Sequence, residues 1–310
     1  MNKQQHGMTL VELMVSMTLS LSLIAGIGSL FSHTQKSNRI QRAMATMADD
    51  SSYVQEVLQK EIRRTGGLRS RSDAAGTNDR IFLTHNNVLN TEPTLAPTVP
   101  LLVTNIDFSG SEYIKGDATS PPNDAFAIRY QLLDNQDLSA GAASNGSSPC
   151  TQNILLDPGE DPSVIEHVAN VYFYLNGTTL SCVAQRTLPN TSGGGGATET
   201  CAKNCMSTTD FHSTDTSVGL ISNAIKLVMR YGVDSDADNA ANYYADATQV
   251  TTALWQHVVS IRLSVVVRSE EDFLTNTHLS YQVEGTSYTA TDYRLYKTFV
   301  TTIALRNQLL

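Results

Sequence analysis

The chain has 310 residues, of which 41% are hydrophobic and 16% charged, with a formal net charge of -9. This length allows one large domain or two modest ones of about 100–200 residues each, and the composition excludes a wholly disordered chain. Nucleic-acid backbones are bound through clustered cations. Because the chain is acidic overall, we do not expect nucleic acid among its partners.

An uncharged apolar segment lies close to the N-terminus. Residues 13–31 read LMVSMTLSLSLIAGIGSLF, and as a helix they extend about 28 Å, close to the ~30 Å hydrocarbon core of a bilayer. The polar residues MNKQQHG precede this segment, whereas a secretory signal peptide has its small-residue cleavage site after the apolar run. Cleavage after Gly7 would therefore keep a transmembrane segment, residues 8–31, in the mature protein.

Glu12 is the only charged residue between positions 8 and 31. A carboxylate at membrane depth costs about 2.5–3.5 kcal/mol on insertion scales, so it needs a partner. If Met8 becomes the N-terminus, its α-amino group lies one helical turn from Glu12, or beside Glu12 of a packed neighbour. Such a charge pair would favour assembly in register. The alternative is that Glu12 extends to water at the headgroup boundary.

The segment GMTLVELMVS resembles the class III leader of type IV pilins and pseudopilins, with Gly7 before the cleavage site and Glu12 fifth in the mature chain. The resemblance implies that a prepilin peptidase cuts between Gly7 and Met8 and methylates the new amino group of Met8. Met8 stands where the family usually has phenylalanine, which favours a minor pilin over a major one. The flanking charges do not orient the segment, so a cytoplasmic N-terminus is implied by the resemblance alone.

The helix is predicted to continue without interruption to residue 65, so that residues 8–65 form one element. Apolar residues recur at helical spacing along one face: Ile40, Met44, Met47, Val54, Leu58 and Ile62. Arg63 and Arg64 suit the negative pole of the helix dipole, and Gly66 and Gly67 offer a left-handed cap.

Residues 66–310 are predicted to form a β-rich head on the far side of the membrane, because short alternating runs there are separated by turn formers. Asn176 and Gly177 predict a two-residue hairpin whose central residues both have a positive φ. Trp255 precedes a run of valine, isoleucine and leucine that predicts a central strand covered by a helix. We thus predict an α+β fold in which a long N-terminal helix packs on an antiparallel head.

Three blocks of the C-terminal half resemble the closing strands of PilW-type minor pilins: AIKLVMRYGVDSDADNA, WQHVVSIRLSVVVRS and RLYKTFVTTIALRNQLL. The resemblance implies a structural subunit, held in the bacterial inner membrane and then packed into a pilus on the cell surface, at or near its tip. The implied roles are pilus initiation, twitching motility and adhesion. The implied partners are other minor pilins, the major pilin, the prepilin peptidase, the inner-membrane assembly platform and a tip adhesin. A pseudopilin of a type II secretion machine is the alternative.

Four cysteines follow the apolar segment: Cys150, Cys182, Cys201 and Cys205. An even set of cysteines in an exported region predicts one or two disulfides, and the sequence leaves all three full pairings open. Buried free thiols are the alternative. No Cys-x-x-Cys pair occurs, so we do not expect a zinc knuckle.

Asp234, Asp236 and Asp238 place carboxylates at alternate positions, a pattern that can turn three oxygens onto calcium, with Asp246 as a further ligand. An EF-hand would have glycine at Asn239 and glutamate at Ala245, and a solvated acidic turn is the alternative. No catalytic motif is found. We therefore predict no enzyme and no cofactor other than this calcium. A membrane-anchored periplasmic enzyme that uses these carboxylates with a metal remains the last hypothesis.

Overall fold

The computed structural model describes residues 9–66 and 217–305 continuously. Between them it describes residues 70–72, 78–80, 106, 108, 112–117, 124–131, 139–140, 148–151, 155–156 and 168–187. These residues contain one long helix, α1 (Leu10–Arg64), and a short 3-10 helix (Thr252–His257). The strands are β1 (Ser70–Ser72), β2 (Asn78–Arg80), β3 (Ile114–Asp117), β4 (Ala125–Gln131), β5 (Ser139–Ala140), β6 (Leu155–Leu156), β7 (Val168–Asn176), β8 (Thr179–Thr187), β9 (Val218–Ile221), β10 (Ala224–Val233), β11 (Tyr243–Ala245), β12 (Val258–Arg268), β13 (Ser280–Val283), β14 (Thr286–Thr289) and β15 (Tyr296–Ala304).

Helix α1 has 55 residues, so it is about 80 Å long at 1.5 Å per residue. It begins one residue after the N-cap Thr9 and ends before Thr65, whose N–H donates to the carbonyl of Ile62. Gly66 follows with a φ of +70°, and its N–H donates to the carbonyl of Arg129 at 2.9 Å. The chain thus turns directly from the helix into the head, at one of the two glycines expected as a cap.

The head covers only the C-terminal part of α1. Residues 9–35 are all exposed, whereas the buried residues belong to the last five turns or so: Met47, Ser51, Val54, Val57, Leu58, Glu61 and Ile62. Met44, on the predicted apolar face, is 55% exposed. Helical spacing identifies a face, but it does not tell how far along that face the head extends.

Two antiparallel sheets form the head, with strand orders β3-β4-β7-β8-β9 and β11-β10-β12-β15. Helix α1 packs against β9, β12 and β15, and side chains from the helix and both sheets belong to a single hydrophobic core. Three smaller ribbons pair β1 with β2, β5 with β6 and β13 with β14. The predicted α+β class, a long helix on an antiparallel head, is confirmed.

The predicted hairpin is confirmed, but its turn lies one residue later in the chain. Asn176 is the last residue of β7 and pairs with Thr179, so the two-residue loop is Gly177 and Thr178. Gly177 has a φ of +62°, whereas Asn176 is not among the residues with a positive φ. A glycine at the first central position is typical of a type II′ turn, not of the predicted type I′ turn.

Strand β12 is central, as predicted, because it lies between β10 and β15. Leu263, Val265 and Val267 point toward α1 and line a cavity of about 10 Å³ beside it, while the β13–β14 ribbon covers the other face through Glu284, which accepts from Ser264 at 2.6 Å. Trp255 is only 3% exposed. It lies in the 3-10 helix, edge-on to Tyr231 at 4.8 Å, and is a core residue.

Candidate functional site

The N-terminal part of α1 presents a continuous apolar surface. Its large apolar side chains are 50–75% exposed: Leu10, Val11, Leu13, Met14, Val15, Met17, Leu19, Leu21, Leu23, Ile24, Ile27, Leu30 and Phe31. Transfer of each from water to an apolar medium is worth about 1.5–3 kcal/mol, on the order of 20–40 kcal/mol together. The segment is long and apolar enough to cross a membrane. A surface of this size needs lipid or other helices around it.

Hydroxyl groups within this segment are satisfied by the helix itself. Ser16 donates to the carbonyl of Leu13 at 2.9 Å, Ser20 to that of Ser16 at 2.7 Å, and Ser22 to that of Leu19 at 2.8 Å. A polar group in hydrocarbon costs several kcal/mol when it has no partner. Since these hydroxyls already have partners, they do not prevent the segment from entering a bilayer.

Glu12 and Thr9 form a capping box at the start of α1. The Thr9 hydroxyl accepts from the Glu12 N–H at 3.3 Å, and Glu12 Oε2 accepts from the Thr9 N–H at 3.1 Å. The signal for this motif, T-x-x-E before an apolar run, is present in the sequence, but our sequence analysis did not identify Thr9. Gly7 and Met8 lie outside the described residues. The cleavage site, the methylated amine and its pairing with Glu12 therefore stay predictions.

The structure pairs Cys150 with Cys182, with the Cα atoms 5.6 Å apart. The bond fixes the short described segment 148–151 against β8, and both cysteines are buried. The bond joins residues 32 positions apart. In the chain-entropy account, a disulfide that closes a loop of this length raises the free energy of unfolding by about 3–4 kcal/mol. Cys201 and Cys205 lie outside the described residues, so the prediction for them stays open.

The acidic run after β10 forms a tight turn around Asp234. Its Oδ1 accepts from the N–H groups of Asp236 at 3.1 Å and Ala237 at 2.7 Å, and its Oδ2 accepts from that of Asn239 at 2.9 Å. Burial opposes the shift, but these hydrogen bonds hold the pKa of Asp234 below its usual value. Ala237 and Asn239 both have a positive φ, so the carboxylate maintains an unfavourable backbone.

The predicted calcium ligands are brought together in part. Carboxylate oxygens of Asp234, Asp236 and Asp238 lie within 4.8 Å of one another. Asp246 is not in this group, because its Oδ2 lies 3.7 Å from Arg230 Nη1 and its Oδ1 accepts from the Thr248 N–H. The backbone bonds to Asp234 explain the turn without an ion. Calcium binding therefore stays a prediction, with three ligands in place of four.

The three C-terminal blocks singled out in the sequence contain β10, β12 and β15, which are adjacent strands of one sheet. Strand β10 requires a glycine at position 232, because a Cβ there would lie 2.2 Å from Ser260 Oγ and 2.8 Å from the Ala241 Cβ. On either side, Tyr231 and Val233 are fully buried. The sheet that packs on α1 therefore depends on the sequence Tyr231-Gly232-Val233.

Comparisons with known proteins give two family matches and a solved structure. A family model described as type IV pilus-assembly protein W matches residues 193–307, and one described as the prokaryotic N-terminal methylation motif matches residues 2–28. Among solved structures, the type IV-like pilin TTHA1219 from Thermus thermophilus is 12% identical, with a TM-score of 0.34 over 64% of this chain and 84% of that chain. No curated protein sequence matches the chain. Both family models support a PilW-type minor pilin of type IV pilus assembly.

Proposed function

We propose that this chain is a minor pilin, a structural subunit that helps to initiate the type IV pilus, at or near its tip, and thereby supports twitching motility and adhesion. The observation that carries the proposal is the division of α1 into an exposed apolar part and a part built into the head. Lipid would cover the apolar part before assembly, and the helices of other pilins would cover it afterwards. We propose no reaction for the head.

Processing follows from the leader. The prepilin peptidase would cut between Gly7 and Met8 and methylate Met8, and the subunit would remain in the inner membrane as a single-pass protein with a cytoplasmic N-terminus. Its partners would then be the assembly platform, other minor pilins, the major pilin and a tip adhesin. After assembly it would lie in a pilus on the cell surface.

Glu12 would have two roles. In the isolated subunit it completes the capping box with Thr9, which satisfies one backbone N–H at the start of the helix. In the pilus, the methylated amine of a neighbour's Met8 would offer a stronger, charged partner in hydrocarbon, where an unpaired carboxylate is costly. Only subunits in the correct register would bring the two groups together.

Peptide mass analysis of the protein from its native cells, with and without the prepilin peptidase, tests the processing. We expect a chain that starts at N-methylated Met8 only when the peptidase is present. A chain that keeps Met1, or one cut after Phe31, would contradict the pilin pathway.

Deletion of the gene separates the pilus from the type II secretion machine, the alternative that shares the leader and Glu12. The match of residues 193–307 to the PilW family favours the pilus. We expect surface pili to be lost while secretion of exoproteins continues. Intact pili with a loss of secretion would contradict the proposal and support a pseudopilin.

A further inference from the structure

One loop of the head reaches the membrane end of α1. This β12–β13 loop, residues 269–279, contacts the helix at two points: Glu271 accepts from Arg39 Nε at 3.1 Å, and Asn276 accepts from Lys36 Nζ at 2.7 Å. Lys36 is also the first helix residue whose surface is partly covered, since residues 9–35 are all exposed. Of the described head, the β12–β13 loop therefore lies closest to the apolar segment.

The loop lies at the level of lipid headgroups if the apolar segment spans the bilayer. Lys36 is five residues beyond Phe31, which is about 8 Å along the helix axis. The headgroup region adds roughly 5–8 Å on each side of the ~30 Å hydrocarbon core. Arg39, the partner of Glu271, is about 12 Å beyond Phe31, so the chain between Glu271 and Asn276 lies at the outer edge of the headgroup region.

Phe273, at the tip of this loop, is held out into solvent. Among the head residues that the structure describes it is the most exposed large apolar side chain, at 72%, compared with 55% for Val300. Its φ is +57°, a conformation that is a genuine outlier for a bulky side chain. Such strained residues persist only where their surroundings enforce them, and they cluster at functional contacts.

The surroundings of Phe273 do enforce this conformation. Asp272 Oδ1 accepts from the Phe273 N–H at 2.7 Å and from the Tyr293 N–H at 3.1 Å. The N–H groups of Leu274 and Thr275 both donate to the Tyr293 carbonyl at 3.0 Å, and Leu274 is buried. These bonds therefore hold the loop in one conformation. One face of the Phe273 ring stacks on Tyr293, and its outer face is exposed and can contact another surface.

We propose that Phe273 is a membrane contact of the head, inserted among the lipid headgroups of the bilayer that α1 crosses. The inference rests on the proposed function, because it requires α1 to lie across a membrane. Amphipathic and aromatic groups at this depth anchor proteins to the interface. The acids Glu270, Glu271 and Asp272 stand beside the cations Lys36, Arg39 and Arg294. The surface therefore has no strong net charge and suits zwitterionic phospholipid.

Fluorescence quenching by brominated phosphatidylcholine tests the contact, with the whole chain reconstituted in vesicles. The native Trp255 is buried and gives a constant background. Phe273→Trp places a probe on the loop, and Ile24→Trp places one within the apolar segment. Val300→Trp is the matched control, because its neighbours Phe299 and Thr301 lie at the level of Ser51 and Val54, about 18 Å farther along α1 than Arg39.

We expect bromines near the headgroups to reduce the emission of Phe273→Trp well beyond the native background, and to leave Val300→Trp at that background. Bromines deep in the acyl chains should quench Ile24→Trp. Equal behaviour of Phe273→Trp and Val300→Trp, with Ile24→Trp quenched, would overturn the proposal. Unquenched Ile24→Trp would instead contradict the membrane placement of α1 and with it the proposed function.

A second measurement keeps an aromatic group on the loop. Replacing Phe273 with the photoreactive benzoylphenylalanine should give a covalent lipid adduct on illumination, whereas the same replacement of Val300 should not. An adduct only with other pilin subunits, and none with lipid, would identify the loop as a protein contact and overturn the proposal.

Discussion

A hydrogen bond in the core joins the functional helix to the head, and its removal should measurably loosen that joint. Tyr130, on β4, donates its hydroxyl to Glu61 Oε2 of α1 at 2.6 Å, and both side chains are fully buried. A hydrogen bond to a charged acceptor contributes about 1.5–3 kcal/mol, compared with about 0.5–1.5 kcal/mol for a neutral pair. Tyr130→Phe should therefore lower the free energy of unfolding by about 1.5–3 kcal/mol.

A double-mutant cycle with Glu61→Gln isolates the charge, because the amide keeps an acceptor of the same shape. In the Glu61→Gln background, Tyr130→Phe should cost only about 0.5–1.5 kcal/mol. Tyr53→Phe is the control on the same helix: Tyr53 is 44% exposed, so its effect should stay within about 0.5 kcal/mol. Denaturant unfolding in detergent gives these values. Equal costs of Tyr130→Phe in both backgrounds would refute the role of the carboxylate.

Three further predictions concern the head and the helix start. Gly232→Ala should destabilise the head by about 1–3 kcal/mol through overpacking, since the alanine Cβ would lie 2.2 Å from Ser260 Oγ. Thermal unfolding measures the loss of stability, and an unchanged Tm would contradict the prediction. Burial raises the pKa of Asp124 to about 6, so the folded protein binds this proton more tightly than the unfolded chain. The free energy of unfolding should therefore fall by about 1–3 kcal/mol as the pH rises from about 4 to 6. Asp124→Asn should remove this pH dependence from the unfolding curves, and an unchanged pH dependence would contradict the assignment. Glu12→Ala should insert normally yet assemble poorly, because a neighbour's amine loses its partner. Glu12→Gln retains a capping-box side chain but should fail in the same way, and incorporation of either variant into pili at the native level would refute the charge argument.

Long-range features of the helix were predictable from the sequence, and local geometry was less so. An apolar run without charge, followed by helical spacing without proline, was enough to predict one helix through Leu58 and Ile62. It could not show that Met44 is exposed, because that depends on how far the separately folded head extends along the helix. The pairing of Cys150 with Cys182 likewise depends on where two distant segments meet in the tertiary structure, which spacing alone does not determine.

The hairpin shows how tertiary structure overrides a local signal. An Asn-Gly pair favours a type I′ turn, but here Asn176 remains in β7 and the turn uses Gly177 and Thr178. A shift of one residue would send every side chain of one strand to the opposite face. The observed register places Cys182 opposite Phe173, so that Cys182 lies in the core and is bonded to Cys150. This register therefore determines which residues form the turn.

The burial of α1 suggests how such a subunit could transmit force. Lipid or neighbouring helices surround residues 10–31 in the proposed function, whereas the last five turns or so belong to the core of the head. Between these parts, the described head touches the helix through Lys36 and Arg39, exposed polar contacts of the kind that contribute little to stability. A pull on the helix should thus be resisted by the core around Leu58 and by the Glu61–Tyr130 bond. We expect the β12–β13 loop to detach from the helix before the sheet unfolds, because the contacts to α1 that the structure describes for it are few and exposed, while β12 itself is paired on both edges.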